Sequence, residues 1–329
     1  MDAHVGGQTL RLVVDGLSHP SGKTMRDKRA WLRRRADGVR RALVLEPRGH
    51  ADMVAAVLTE AVSPEAHAGI LFMDSGGYPA ISGHGLIAAA TIAVARDLFV
   101  SREADADVRM AFDTPAGVVH TVVHAEGHGA ERRIHSVVFT NIPAFVHTAG
   151  HPVRVGARDL RVDVAFAGLF YAIVDTEATG VALRGERLND LRRLGVDLQT
   201  ALNRDAEFAH PTDPDASGIA GVIFTGPPSD PEAHLRSAVV SGSVVDRSPG
   251  GTTTAALMAV LDAMGMLGED GQFVHESITG TLFRGRAARR TAVGDVPALI
   301  VEIEGTAWIT GEHTFLIDED DPLREGLQL

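Results

Sequence analysis

The chain has 329 residues, 45% hydrophobic and 22% charged, proportions of a globular protein long enough for two domains. A formal net charge of −12 opposes binding to nucleic acid or to an anionic membrane, and no apolar run approaches the roughly 20 residues of a membrane span. Cysteine is absent, which excludes disulfides, thiolate metal sites and thiol nucleophiles; Met1-Asp2-Ala3-His4 does not open a secretory signal, so a cytoplasmic location is expected.

In chain order, Gln8 to Asp15 predicts a strand, with Leu10, Leu12, Val13 and Val14 apolar. The next segment carries Lys23, Arg26, Lys28, Arg29, Arg33, Arg34, Arg35, Arg40 and Arg41 around Trp31, Leu32, Val39 and Leu43. That spacing predicts a surface helix with a solvated basic face, and nothing near it resembles a nucleic-acid module. Gly69 to Met73 reads as a buried strand that stops at the turn formers Asp74-Ser75-Gly76-Gly77-Tyr78-Pro79. Ser82-Gly83-His84-Gly85 then opens a helix, Leu86 to Leu98, apolar on nearly every face and so expected in the middle of a domain.

The second half repeats the plan. Val162 to Gly168 resembles the opening strand, and Gly221-Val222-Ile223-Phe224 resembles the strand that ends at Met73. Asp246-Arg247-Ser248-Pro249-Gly250-Gly251 leads into a second apolar helix, Thr252 to Leu267. Two domains of one design are expected, each with strands around a buried helix. Both helices begin at turns of small residues, where free backbone N–H groups and the positive dipole end can hold an anion without a basic side chain. The same turns would also serve as ordinary caps, Ser82 being a good N-cap. No dinucleotide fingerprint or phosphate loop is present.

The segment from Asp74 to Gly85 resembles the first active-site segment of proline racemases and hydroxyproline epimerases, which normally ends Met-Cys-Gly-His-Gly. The segment Asp246 to Thr254 resembles their second, normally Asp-Arg-Ser-Pro-Cys-Gly-Thr-Gly-Thr. Asp2-Ala3-His4 with Gly7 and Arg11, Glu46-Pro47-Arg48-Gly49-His50, and the closing Asp320-Asp321-Pro322-Leu323-Arg324-Glu325-Gly326 also fit. The chain is therefore identified as a member of the proline racemase family. The resemblance implies an α+β, diaminopimelate-epimerase-like fold of two pseudo-symmetric domains with the active site between them. Residues 1–155 with a return over 306–329 would form one domain, and residues 156–305 the other. It implies that a substrate carboxylate is held by the N–H groups of Gly83, His84, Gly251 and Thr252, beside Gly250, and its amine by Asp246 and His84. No metal and no pyridoxal phosphate is implied. The implied partner is a small imino acid, with neither nucleic acid nor membrane, and a homodimer is left open.

The sequence departs from the motif where the family has its two cysteines: Ser82 stands at the first position and Gly250 at the second. Racemisation by two bases needs a group on each face of the α-carbon, and a thiol with an unperturbed pKa of about 8.5 suits both tasks. Serine is a weak base unless a neighbour takes its proton, and His84, two residues on, is not expected to face it along a helix. Family dehydratases of trans-3-hydroxy-L-proline keep the first base and typically have threonine at the second position. One-face elimination with Ser82 as the catalytic group is therefore the leading expectation. A racemase or epimerase using Ser82 with water as second base, an altered substrate or reaction on the same scaffold, and a non-catalytic imino-acid-binding homologue are the alternatives. Thr252, Thr253 (glycine in the usual motif) and Thr254 are expected to cap and pack, with a hydroxyl supplied in place of the missing side chain as the alternative, and His50 and His210 to be structural or at the rim of the site.

Overall fold

The computed structural model describes residues 1–98, 107–127, 132–242 and 244–328. The chain divides into two compact units, residues 1–139 with 305–329, and residues 140–304. This division differs from the one expected at 155/156 by a single strand. Phe145–Val155 pairs antiparallel along Arg158–Phe166 and so belongs with the second unit.

The first unit contains strands β1 (Asp2–Val5), β2 (Gln8–Val13), β3 (Val54–Thr59), β4 (Ala68–Met73), β5 (Asp107–Thr114), β6 (Gly117–Glu126) and β7 (Arg133–Thr140). Its helices are α1 (Met25–Arg35), α2 (Asp37–Val44) and α3 (Gly83–Ala95). The second unit contains β8 (Phe145–Val155), β9 (Arg158–Phe166), β10 (Phe170–Asp175), β11 (Ile219–Gly226), β12 (Leu235–Ser241), β13 (Val244–Asp246), β14 (Gln272–Glu276), β15 (Leu282–Val293) and β16 (Val296–Gly305). Its helices are α4 (Thr176–Thr179), α5 (Leu188–Asp205) and α6 (Gly251–Ala263). The chain then returns to the first unit as β17 (Ala307–Gly311).

The internal repeat is visible in the strand order. In the first unit it runs β17-β1-β2-β3-β4-β5-β6, and in the second β8-β9-β10-β11-β12-β14-β15. Successive pairs are antiparallel, antiparallel, parallel, antiparallel, parallel and antiparallel in both. Each parallel pair needs a crossover, supplied by α1 and α2 or by α4 and α5 for the first and by α3 or α6 for the second. Gly221–Phe224 thus lies in β11, the counterpart of β3. The counterpart of β4 is β12, so the match expected between Gly221–Phe224 and the strand ending at Met73 is corrected by one strand. The architecture is the α+β, diaminopimelate-epimerase-like one, strands around a buried central helix, twice over.

The two central helices are where the sequence placed them, with earlier ends. In α3 every residue from Gly83 to Val94 is buried, and the helix packs against β1, β2, β3, β6 and β17. In α6 every residue from Gly251 to Val260 is buried, against β8, β9, β10 and β15. The helices stop at Ala95 and Ala263 instead of Leu98 and Leu267 because the following residues leave the core: Met264 and Met266 are more than 60% exposed. No helix among the described residues is long and apolar enough to cross a membrane.

The basic segment is two helices, and its solvated-face reading holds only in part. Thr24 caps α1 in a reciprocal box with Asp27, and the chain bends at Ala36 before α2. Lys28 is buried, its Nζ donating to Thr59 Oγ1 at 3.3 Å and to the Glu60 carbonyl at 2.6 Å. Arg40 is buried as well, for a reason that concerns the site. In the second unit α5 lies on β11, burying Leu191, Leu194, Leu198, Ala201 and Leu202 at helical spacing, a signal present in the sequence but not drawn from it.

The scattered motif matches in the first unit are structural. Arg11 grips Asp2 (Nη2 to Oδ2, 2.8 Å) and donates Nη1 to the carbonyls of Leu43 and Arg48. Arg48 in turn pairs with Asp321 at 3.0 Å, tying the closing segment to the unit. The buried Arg11–Asp2 pair is costly to break from one side.

Candidate functional site

At the start of α3, the loop from Asp74 is built before the helix begins. Asp74 Oδ1 accepts from the backbone N–H groups of Gly76 (2.8 Å) and Gly77 (2.7 Å), closing the turn. Burial pushes the Asp74 carboxyl above its ordinary range, against those two donors and the nearby Arg40. Arg40 Nη1 donates to the carbonyls of Asp74 (2.6 Å) and Ser75 (3.1 Å) while its Nε holds Asp37 at 2.7 Å. Tyr78 completes the clamp by donating its hydroxyl to Asp37 at 3.1 Å. The hydrogen bond to Arg40, ahead of the opposing effect of burial, keeps the Asp37 carboxyl below its ordinary range. A segment whose charge suggested only solvation therefore fixes the turn that leads to Ser82.

Ser82 is the N-cap of α3, with extended backbone (φ −142°, ψ 114°), and its Oγ accepts from Gly85 N–H at 3.3 Å. Helix geometry directs the N–H groups of Gly83 and His84, the first two helical residues, out of the helix start. Gly85 must be glycine: a Cβ there would lie 2.5 Å from Phe72 Cε1 and 2.9 Å from Ser82 Oγ. Ser82 and His84 are both buried, and Ser82 Oγ lies 3.5 Å from His84 Nδ1. The expectation that residues two apart would not face each other is corrected here. That rule applies within a helix, and Ser82, being the cap, has strand-like dihedrals that turn its side chain over the helix start.

At the start of α6 the order of parts is the same but the side chains differ. Asp246 ends β13, and its Oδ1 accepts from both the N–H and the hydroxyl of Ser248, each at 2.8 Å. The aspartate thus shapes the turn as well as presenting a carboxylate beside Gly250. Ser248 Oγ accepts from Gly250 N–H at 3.2 Å. Gly250 is the N-cap residue, at φ +74° and ψ 129°, and no side chain caps the helix. Gly251 and Thr252 follow as the first helical residues, both buried.

The threonine run packs as expected, each member with its own partner, but none of the three caps the helix, because their hydroxyls meet carbonyls and buried side chains and not free N–H groups. Thr252 Oγ1 lies 2.8 Å from the hydroxyl of the buried Tyr171, whose acidity burial lowers. Thr253 Oγ1 lies 2.5 Å from the Pro249 carbonyl and 2.9 Å from that of Gly250. Thr254 donates to the Gly250 carbonyl at 2.6 Å and so accepts from Nδ1–H of His275 at 2.9 Å; the ring's Nε2 then accepts from Ser237 at 2.8 Å. Burial depresses the His275 pKa to about 3, so the ring is neutral in this chain of bonds. Tyr171, Ser237 and His275 were missed by sequence reasoning, since buried residues inside strands carry no local signal. His210 packs against Phe145 and Phe166, at 5.3 and 4.6 Å between ring centroids, the first of the two roles expected for it.

Each of the two helix starts therefore offers N–H groups and a polar side chain, without a basic residue among Gly83, His84, Gly251 and Thr252 other than His84. Among the described residues no group of three histidine, aspartate or glutamate side chains is arranged to hold a metal ion.

The proline racemase family model matches residues 1–328. A proline racemase of Acetoanaerobium sticklandii is 38% identical over 99% of this chain and 96% of its own length. A trans-3-hydroxy-L-proline dehydratase of Azospirillum brasilense is 37% identical over the same shares. A crystal structure of a hydroxyproline epimerase from Agrobacterium vitis, with trans-4-hydroxy-L-proline bound, superposes with a TM-score of 0.91 at 29% identity, covering 100% of this chain and 93% of that one. Racemases, epimerases and dehydratases are all represented at comparable distance, and the chain belongs to the proline racemase family.

Proposed function

We propose that the protein is a cofactor-independent lyase that dehydrates trans-3-hydroxy-L-proline, removing the α-proton from one face only. The observation that carries the reading is the asymmetry of the two helix starts. A hydroxyl with an imidazole 3.5 Å away stands at Ser82, and at Gly250 there is no side chain. In this scheme the N–H groups of Gly83, His84, Gly251 and Thr252 bind the carboxylate, and Asp246 anchors the ammonium.

The α-proton passes to Ser82 Oγ as the serine's own proton passes to His84 Nδ1, which requires the Nε2–H tautomer of the ring. The Cα–H electron pair becomes the Cα=C3 double bond, and the C3–O bond breaks. The departing hydroxide takes the proton that His84 Nδ1 received and leaves as water, which returns His84 to its neutral form. The enamine product then tautomerises to the cyclic imine. No proton has to be returned to Cα from the second face, so Gly250 costs this reaction nothing, whereas racemisation of L-proline would lack its second base.

The test is to incubate the protein with trans-3-hydroxy-L-proline and trap the imine with o-aminobenzaldehyde. Formation of the trapped adduct, abolished in Ser82→Ala, supports the reading. Absence of adduct at saturating substrate, with inversion of proline or 4-hydroxyproline instead, would replace it by an isomerase.

A further inference from the structure

We infer that Thr253 is the specificity-determining residue on the second face: its hydroxyl occupies the space of the missing side chain, so that Gly250 and Thr253 form one coupled exchange. The inference deepens the one-face reading and rests on it for its catalytic meaning, but not for its structural content.

A Cβ built on Gly250 would lie 2.2 Å from Thr253 Oγ1, a separation that no real contact tolerates, and 3.4 Å from Asp246 Oδ2. The backbone agrees, because φ +74° with ψ 129° is a conformation that only glycine adopts readily. Thr253 cannot simply rotate away without loss, since its Oγ1 lies against the carbonyls of Pro249 and Gly250 and the side chain is buried. In the motif that this segment resembles, the two positions carry the opposite pair, a side chain at 250 and glycine at 253. The exchange is therefore reciprocal: a group is lost at one position and one of similar reach is gained three residues on, one turn along α6.

The group gained is not a base. A threonine hydroxyl removes a proton only if a neighbour accepts its own. The atoms around Thr253 Oγ1 at bonding distance are two amide carbonyls, which accept a hydrogen bond but do not take a proton at neutral pH. Thr253 thus fills the second face with an inert hydroxyl and keeps residue 250 from carrying a catalytic group.

The experiment is a double-mutant cycle on stability with a thiol readout. Because the chain has no cysteine, Gly250→Cys introduces its sole thiol. Gly250→Cys alone should lower Tm by on the order of 5 °C or more. Thr253→Gly added to it should restore part of that loss, so that the double variant melts above the value predicted by adding the two single shifts. If Gly250→Cys alone does not fold, rescue by Thr253→Gly, or by Thr253→Ala, is itself the supporting result. Additive shifts, or a Gly250→Cys variant as stable as the parent with a freely reacting thiol, would overturn the inference. The catalytic meaning is read separately, from the α-proton of L-proline in deuterated water. Ser82→Cys with Gly250→Cys should give no inversion, and inversion should appear when Thr253→Gly is added. Coupled stabilities without inversion would keep the coupled exchange and remove Thr253 as the determinant of one-face chemistry. Failure of the dehydration assay on the unmodified protein bears on the proposed function alone.

Discussion

Ser82 Oγ and His84 Nδ1 lie 3.5 Å apart in the buried opening of α3, brought together because one residue caps the helix and the other is inside it. At that separation the contact is long for a hydrogen bond, and the proposed mechanism requires it to shorten when substrate binds.

The first prediction follows from this pair. Ser82→Ala should abolish turnover while leaving the affinity for pyrrole-2-carboxylate within ~1 kcal/mol, because the proposed mechanism assigns the carboxylate to backbone N–H groups. It should also cost about 1 kcal/mol of stability through loss of the cap to Gly85. Calorimetric titration and thermal melting check the two effects separately. Retained turnover in Ser82→Ala would remove the serine from the mechanism.

Asp246 shapes a turn, and the proposed function gives it a second task that one substitution can separate from the first. Asp246→Asn keeps an oxygen for the N–H and hydroxyl of Ser248, so the turn should survive and Tm in the absence of ligand should change little. The charge proposed to anchor an ammonium is lost, and imino-acid binding should weaken by on the order of 2–5 kcal/mol. The measurement is the thermal shift by L-proline and the hydroxyprolines; an undiminished shift in the variant would assign Asp246 to the turn alone.

Burial lowers the pKa of His275 to about 3, so its folded value lies below the ordinary one near 6.5. A base depressed in this way contributes its full stability above pH 6.5 and loses it as pH falls from there toward 3. Stability attributable to this ring should fall by about 1.4 kcal/mol per pH unit below that threshold. Urea unfolding of the parent and of His275→Gln at pH 7.5, 6 and 5 isolates the effect from other buried histidines. The parent's curve should descend more steeply than the variant's, and parallel curves would contradict the assignment.

The repeat and both central helices were legible in the sequence because a helix apolar on every face has one place to go, and small-residue turns preceded both. The placing of Ser82, His84 and Asp246 at or just before the two helix starts was legible through motifs that combine unusual residues in fixed order. What could not be read was contact across distance. Arg40 reads as one cation in a basic run until α2 places it on the carbonyls of Asp74 and Ser75. Tyr171 and His275 sit inside apolar strands, and only the fold brings them to Thr252 and Thr254. Both strand matches were off by one strand, Gly221–Phe224 lying in the counterpart of β3 and Val162–Phe166 in the counterpart of β1 instead of β2, since short apolar runs in neighbouring strands look alike.

The central claim is that one face of the α-carbon is served and the other is not. Proton NMR with chiral analysis, on the unmodified protein in deuterated water with L-proline and with trans-3-hydroxy-L-proline in parallel, tests it most directly. The account predicts loss of water from the hydroxylated substrate and no accumulation of D-proline from the other. Steady growth of α-deuterated D-proline would contradict it, because a proton would then have been delivered from the face where Gly250 has no side chain.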